Sequence, residues 1–377
     1  MLLKTTGLAG IFLYGKEDTK KLRKKRKLEH LNLVRNLDDG PGRTGFEDLY
    51  FVHNCLPETD PSEINTATQF CGREIEIPLM INAITGGIPE AEKINRALAV
   101  VARRMKIPMA VGSQTAALQD RTARFSYEVV RVENPEGFIA ANVGAGVTPD
   151  YALEAVKMID ADALQLHLNV PQEVMMPGAE GDLCFSGYLK NIESLVKASP
   201  VPVIVKEVGY GIAREQAKQL LDAGVTALDI GGKGGTNFIK IEGLRHSSEA
   251  AHPFLNWGIP TVVSLIETAA AAGSRLDIAA AGGVRSGLDA AKAFRLGACL
   301  AGLAGPLVRC YFIGGETAIE DYLLQLQMQL KQVMLMLGAR NITELRDRPI
   351  LILGETGEWL KRRGVDLNQF AQRGSLT

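Results

Sequence analysis

From residue 77 onward the chain repeats one phrase: a short apolar run, a cluster of Gly, Asn, Ser or Thr, then roughly 10 to 18 residues with helical periodicity. The apolar runs are IPLMINAI (77–84), IPMAVGS (107–113), GFIAANVGA (137–145), ALQLHLN (163–169), PVIVKEVG (202–209), ALDIGG (227–232), LDIAAAGG (276–283) and CLAGLAG (299–305). Runs of this kind are suited to burial on both faces, as parallel strands are, and the stretches between them suit crossover helices. The spacing predicts helices over 89–106, 149–159, 187–198, 213–223, 261–272 and 288–296. Eight strands with helical crossovers predict an α/β fold, a (β/α)8 TIM barrel. A doubly wound sheet usually has fewer strands and an early Gly-x-Gly-x-x-Gly turn.

Two regions fall outside the repeat. Residues 1–76 read as an N-terminal arm with a basic segment, 77–310 as the barrel, and 311–377 as a C-terminal helical extension and tail. Within the extension, 318–338 has Leu and Met at helical spacing, suited to packing on the barrel or on a neighbouring subunit. The tail after Leu360 is polar and contains glycine, so it is expected to fray.

Composition narrows the class. With 377 residues, 46% hydrophobic, 23% charged and 39 glycines without a collagen period, the chain is globular, and disorder and fibres are excluded. Length alone would also fit two domains of about 150 residues each. A net charge of −1 leaves no global field for nucleic acid or an anionic membrane. That figure averages a strongly basic run, Lys20, Lys21, Arg23, Lys24, Lys25, Arg26 and Lys27, with a mildly acidic remainder. The five cysteines are dispersed with no metal spacing, as in a reducing compartment. No stretch reaches the ~18 apolar residues of a membrane span, and MLLKTTGLAGIFLYG lacks a signal-peptide cleavage site. A soluble, cytoplasmic protein is expected.

In a (β/α)8 barrel the chemistry sits where the strands end. The residues closing the runs are Thr85, Gly86 and Gly87; Ser113; Asn142; His167 and Asn169, followed by Gln172 and Glu173; Lys206; Thr236; Gly282, Gly283, Val284 and Arg285; and Ala304 with Gly305. Small-residue turns after strands seven and eight, with Arg285 beside them, suit a phosphate group; glycines that merely make turns are the plain alternative. Lys206 ends an apolar strand, so inside a barrel it must be neutralised or lose its proton. A Schiff-base lysine and a cation facing an electron-rich cofactor edge both fit. Pairing with Glu207 is disfavoured, because strand neighbours point to opposite faces. Glu173, beside His167 and Asn169, is a natural hard-cation ligand. Arg26 and Lys27 are either solvated or a phosphate clamp.

Together RKLEH (26–30), NAITGG (82–87), MAVGSQ (109–114), ANVGA (141–145), QLHLNVPQE (165–173), VKEVG (205–209), GGKGGTNF (231–238), WGIPT (257–261) and AGGVRSGLDAAKA (281–293) closely resemble type 2 isopentenyl-diphosphate isomerases, in the same order. The resemblance implies an FMN-dependent barrel enzyme interconverting isopentenyl and dimethylallyl diphosphate, with Mg2+, NAD(P)H as reductant and a tetrameric or octameric assembly. It implies flavin contacts at Thr85, Gly86, Gly87, Ser113, Asn142, Lys206, Thr236, Gly282, Gly283, Val284, Arg285, Ala304 and Gly305. It puts Arg26, Lys27, His167, Asn169 and Gln172 on the diphosphate, Glu173 on the metal, and Gln172 and Lys206 in catalysis, with the reduced flavin as acid and base. The chain departs from the family pattern at Thr115, where many relatives carry Arg or Met, and at Gly231, where some carry Ser.

Two other readings compete. A 2-hydroxy-acid oxidoreductase would share the barrel and the lysine but needs a histidine base, and His246 and His252 do not end a strand. A non-enzymatic flavin-binding regulator would leave Gln172, Glu173 and the basic arm without a task.

Overall fold

The computed structural model describes residues 16–37, 39–40, 42–177 and 180–372, with side chains from Lys24 onward. The first fifteen residues and the last five of the expected fraying tail lie outside the described residues.

Among the described residues eight parallel strands close into a barrel: β1 (Leu79–Ile81), β2 (Met109–Ala110), β3 (Ile139–Gly144), β4 (Ala163–Leu168), β5 (Val203–Glu207), β6 (Ala227–Asp229), β7 (Asp277–Ala281) and β8 (Leu300–Leu303). Each pairs with its neighbour in sequence, and β8 pairs with β1 to complete the ring. The architecture is the (β/α)8 barrel that the alternation predicts. The helices that the spacing predicts all form, with ends shifted by a residue or so.

The barrel interior is layered, because every second strand residue points inward. The lower layer is apolar: Met80, Ala110, Ala140, Ala163, Ile204, Ala227, Ala279 and Leu300 form one buried cluster. A hairpin, Thr68–Phe70 with Arg73–Ile75, seals it from below through Phe70 and Ile75. Two residues further along the strands the inward positions become Asn82, Asn142, Gln165, Lys206 and Asp229, all buried. The same two-residue step thus carries five of the eight strands from packing into chemistry.

The arm is several structures. Helix α1 (Lys16–Asn36) lies against the C-terminal end of the barrel and buries Leu31 and Val34. The strand Leu49–Phe51 pairs antiparallel with Ile350–Ile352, so arm and extension are built together. Behind them α2 (Pro89–Met105) and α6 (Gly287–Arg295) flank α7 (Gly305–Leu337), which crosses the expected boundary at residue 310 as the helix following β8. It kinks at Gly314 and Gly315, and the stretch 318–338 packs on the barrel through Ile319, Leu323, Leu326, Leu330 and Met334. Most of the tail does not fray as expected. Arg363 pairs with Glu215 and Glu267, and Arg295 donates to the Phe370 carbonyl at 3.1 Å, ties that the local polar composition does not reveal.

Among the helices that the spacing does not predict are α3 (Phe125–Glu133) and α5 (Phe238–Arg245). The segment FIKI at the start of α5 alternates like a strand, and Gly243 lowers helix propensity further. Asn237 nevertheless caps it, its side chain accepting from Lys240 N at 2.9 Å.

Candidate active site

A cavity of about 510 Å3 opens at the C-terminal ends of the strands, within the size range of ligand pockets. Its walls include Thr85, Gly86, Ser113, Asn142, His167, Asn169, Gln172, Glu173, Lys206, Thr236, Gly282, Gly283, Val284, Ala304 and Gly305 from the barrel, and Arg26 and Lys27 from α1. Of the residues expected at a site, Gly87 and Arg285 lie outside this lining. Gly87 sits under Lys27 and donates its N–H to Ser126 Oγ at 2.7 Å. Arg285 turns away: its guanidinium donates to the Gly283 and Gly234 carbonyls and lies 3.5 Å from Asp39. It braces the glycine turns: its bonds to those carbonyls and its pairing with Asp39 hold it out of the cavity lining.

The floor is organised by a residue that the sequence reading missed. Fully buried Asp229 accepts hydrogen bonds at Oδ2 from Lys206 Nζ (2.9 Å), Asn82 Nδ2 (2.6 Å) and, more weakly, Gln165 Nε2 (3.4 Å). Lys206 is therefore neutralised from the neighbouring strand β6, where Asp229 stands in register with it. Glu207, on the opposite face of β5, accepts instead from the Tyr210 and Gly211 amides.

From Asp229 a chain of amides leads to His167. Because an ionised carboxylate only accepts, Gln165 must turn its NH2 toward Asp229; its Oε1 then accepts from Asn142 Nδ2 at 2.7 Å. Asn142 Oδ1 in turn faces His167 Nδ1 at 2.9 Å, which requires the proton on Nδ1 and leaves Nε2 with its lone pair. Burial first, then the Lys206 and Lys27 charges, lower the imidazole pKa to about 4, so His167 is neutral at pH 7.

The rim joins α1, α4 (Val170–Met175) and α5. Glu242 of α5 accepts at Oε1 from His30 Nε2 (2.8 Å) and Gln172 Nε2 (3.1 Å), while Oε2 is taken by Arg245. Burial pushes its pKa up, but the bonds from His30 and Gln172 and the Arg245 charge prevail and bring it to about 2. Burial keeps His30 below its usual range. His30 lay within the RKLEH motif without a role, and Glu242 lay in the helix that was not predicted.

Lys27 reaches down to the Gly86 carbonyl (2.6 Å), the Tyr127 hydroxyl (2.8 Å) and the Ser113 carbonyl (3.3 Å). Arg26 meets the Glu180 carbonyl at 3.2 Å. Both line the mouth of their own barrel. Gly86 is needed there, since a Cβ would stand 2.1 Å from the Tyr127 ring. Of the departing positions, Thr115 lines the cavity and shares a 3.1 Å hydrogen bond with Ser113. Gly231 has φ +44°, and a Cβ on it would fall 1.8 Å from the Glu207 carbonyl.

The residues fit a flavin mononucleotide and a hard cation. Gly282, at φ +110°, has no room for a side chain, so the backbone lies bare along one wall. Beside it α7 begins at Ala304 and Gly305 with no side-chain cap, so the positive end of its dipole lies at the cavity wall that both residues line, as anion sites are built. Among the described residues no three His, Cys, Asp or Glu side chains cluster to enclose a metal. Glu173 instead stands at the rim, held by Asn169 Nδ2 (2.6 Å) and the Asp182 amide (2.8 Å), where it could give one carboxylate to a Mg2+ ion whose other ligands came from phosphate and water.

Residues 154–351 match the family model of FMN-dependent dehydrogenases. Over nearly their whole lengths, curated relatives are isopentenyl-diphosphate delta-isomerases. The chain is 46% identical to that of Moorella thermoacetica over 90% of this chain and 97% of the relative. It is 45% identical to that of Symbiobacterium thermophilum, over 93% and 99%. Solved structures of similar fold include mandelate oxidase with (S)-2-phenylpropionate, at TM-score 0.62 and 17% identity over 88% of this chain and 98% of that one. This likeness speaks for the barrel alone, and neither His246 nor His252 lines the cavity as a hydroxy-acid oxidase base would. The chain belongs to the isopentenyl-diphosphate delta-isomerase family, in its FMN-dependent form.

Proposed function

We propose that this protein interconverts isopentenyl diphosphate and dimethylallyl diphosphate in isoprenoid biosynthesis, in the cytoplasm, with FMN in the cavity, Mg2+ at Glu173 and NAD(P)H as reductant. The observation that carries the proposal is one cavity joining a paired lysine at its floor, bare glycine turns along one wall, and Arg26, Lys27 and the Glu173 carboxylate at its rim.

Reduced FMN supplies a ring nitrogen able to give and take a proton. The chain's own residues do the rest. Thr85, Gly86, Ser113 and Asn142 hold one side of the flavin, while Thr236, Gly282, Gly283, Val284, Ala304 and Gly305 cradle its phosphate. Arg285 keeps those turns in shape from behind. Lys206, oriented by Asp229, offers its ammonium to the electron-rich edge of the ring.

Arg26, Lys27 and Asn169 face the diphosphate with the metal at Glu173. A neutral His167 presents an acceptor at Nε2, which suits water around that anion better than the anion's own oxygens. Gln172 is neither acid nor base; its amide, tied to Glu242 Oε1, positions the carbon chain for proton exchange. The surrounding apolar walls and α1 exclude bulk water. Exposed Leu324, Met328 and Met336 on α7 are suited to a subunit contact, consistent with a homo-oligomer.

The test is direct. Purified protein with FMN, NADPH and Mg2+ under anaerobic conditions should show a flavin spectrum and convert isopentenyl diphosphate to dimethylallyl diphosphate. No product from the reduced, flavin-loaded protein would overturn the reading.

A further inference from the structure

Arg245 is almost wholly enclosed, with its side chain 3% exposed, and each guanidinium nitrogen meets a different carboxylate. Nε faces Glu29 Oε2 of α1 at 3.0 Å, Nη2 faces Glu180 Oε2 beyond α4 at 3.1 Å, and Nη1 meets Glu242 Oε2 on its own helix. These partners come from three separate parts of the rim. A guanidinium can serve all of them at once because its donors spread in a fixed plane; an ammonium is a single point of charge.

We propose that Arg245 is the clasp that closes α1 over the cavity mouth, a positioning residue that brings Arg26 and Lys27 to the substrate diphosphate. The inference rests on the isomerase reading for the identity of that diphosphate. Its physical basis is local. Without Arg245, Glu29, Glu180 and Glu242 face one another across the space it leaves, Glu242 wholly enclosed, Glu180 largely so and Glu29 a third exposed, and their mutual repulsion pushes α1 outward. Nearby cations do not replace it: Lys25 is 3.7 Å from Glu29 Oε1 but 73% exposed, and Arg26 donates to the Glu180 backbone carbonyl and to Met176 Sδ. Arg245 also occupies Glu242 Oε2, which leaves Oε1 to His30 and Gln172. The glycine turns at Gly282 and Gly305 have no part in the clasp, so opening it separates substrate binding from flavin binding.

The experiment compares full-length wild type, Arg245→Gln, Arg245→Lys and Glu29→Gln, all loaded with FMN. The first readout is KM and kcat for isopentenyl diphosphate. The second is the rate at which trypsin cuts the basic run 20–27, with and without inorganic diphosphate. Arg245→Gln is expected to raise KM about tenfold or more, to speed cleavage by a similar factor, and to keep FMN affinity within about twofold. Arg245→Lys should recover part of both effects. Glu29→Gln, which keeps the arginine and removes only the arm's anchor, should reproduce them in weaker form and covers the case in which Arg245→Gln does not fold. Wild-type values of KM and cleavage in Glu29→Gln and any folded Arg245 variant, or loss of FMN in parallel with the rise in KM, would overturn the clasp. If wild type binds FMN but turns over no isopentenyl diphosphate, the isomerase reading fails, while the trypsin rates still decide the clasp.

Discussion

Replacing Asp229 by Asn keeps the shape of the floor and removes its charge. Three donors converge on one carboxylate oxygen, with Lys206 Nζ at 2.9 Å, and neither partner of the ion pair is open to bulk water. At that distance, with an effective dielectric near 20, the attraction is about 6 kcal/mol. Part of it is recovered when Lys206 draws water from the cavity above, so the expected loss of stability is about 3 to 5 kcal/mol, the range found when one member of a buried pair is removed. Urea unfolding of the apo protein, followed by fluorescence of Trp257 and Trp359, measures it. A second substitution, Lys206→Met, takes away the orphaned charge. The double variant should therefore be more stable than Asp229→Asn alone, with a coupling of about 2 kcal/mol or more. A loss below about 1 kcal/mol for Asp229→Asn, or no recovery in the double variant, would refute the idea that this pair holds Lys206 in place.

Other consequences can be measured separately. The His167 pKa is lowered to about 4 against an ordinary 6.5, so the unfolded chain takes up this proton first as the solution is acidified. Its contribution is complete above pH 6.5 and is lost as pH falls toward 4, by at most about 3 kcal/mol. Melts across that window should be less steep in pH for His167→Gln, and an unchanged slope would contradict a buried neutral imidazole. Gly86→Ala drives a methyl group into the fully buried Tyr127 ring and should cost about 1 to 3 kcal/mol, read as a lower melting temperature; an unshifted melt would mean the ring can yield. Glu173→Gln should weaken the Mg2+ requirement and the turnover while flavin absorbance stays with the protein. Flavin lost on gel filtration of that variant would place Glu173 in the wrong site.

The barrel was legible because its strands repeat a local pattern that needs no knowledge of distant contacts. Apolar runs closing on glycine and polar residues place Lys206, His167 and the turns at Gly282 and Gly305 at strand ends from the sequence alone. The polar layer was legible in principle as well: Asn82, Gln165 and Asp229 each stand two residues beyond an inward apolar position. What the chain order could not convey is which of these residues share a proton or a charge. Its neighbours in sequence leave Lys206 open to a Schiff base or a cofactor edge, whereas the parallel pairing of β5 with β6 sets it against Asp229 on the adjacent strand. The rim is further still from local inference. His30 and Glu242 lie 212 positions apart, and Glu29 and Arg245 lie 216 apart. Residue identity and spacing determined the scaffold and the chemistry present at its strand ends. Only tertiary structure decided which groups are dry and paired, because desolvation and ion pairing depend on what stands across the cavity and not on what stands next in the chain.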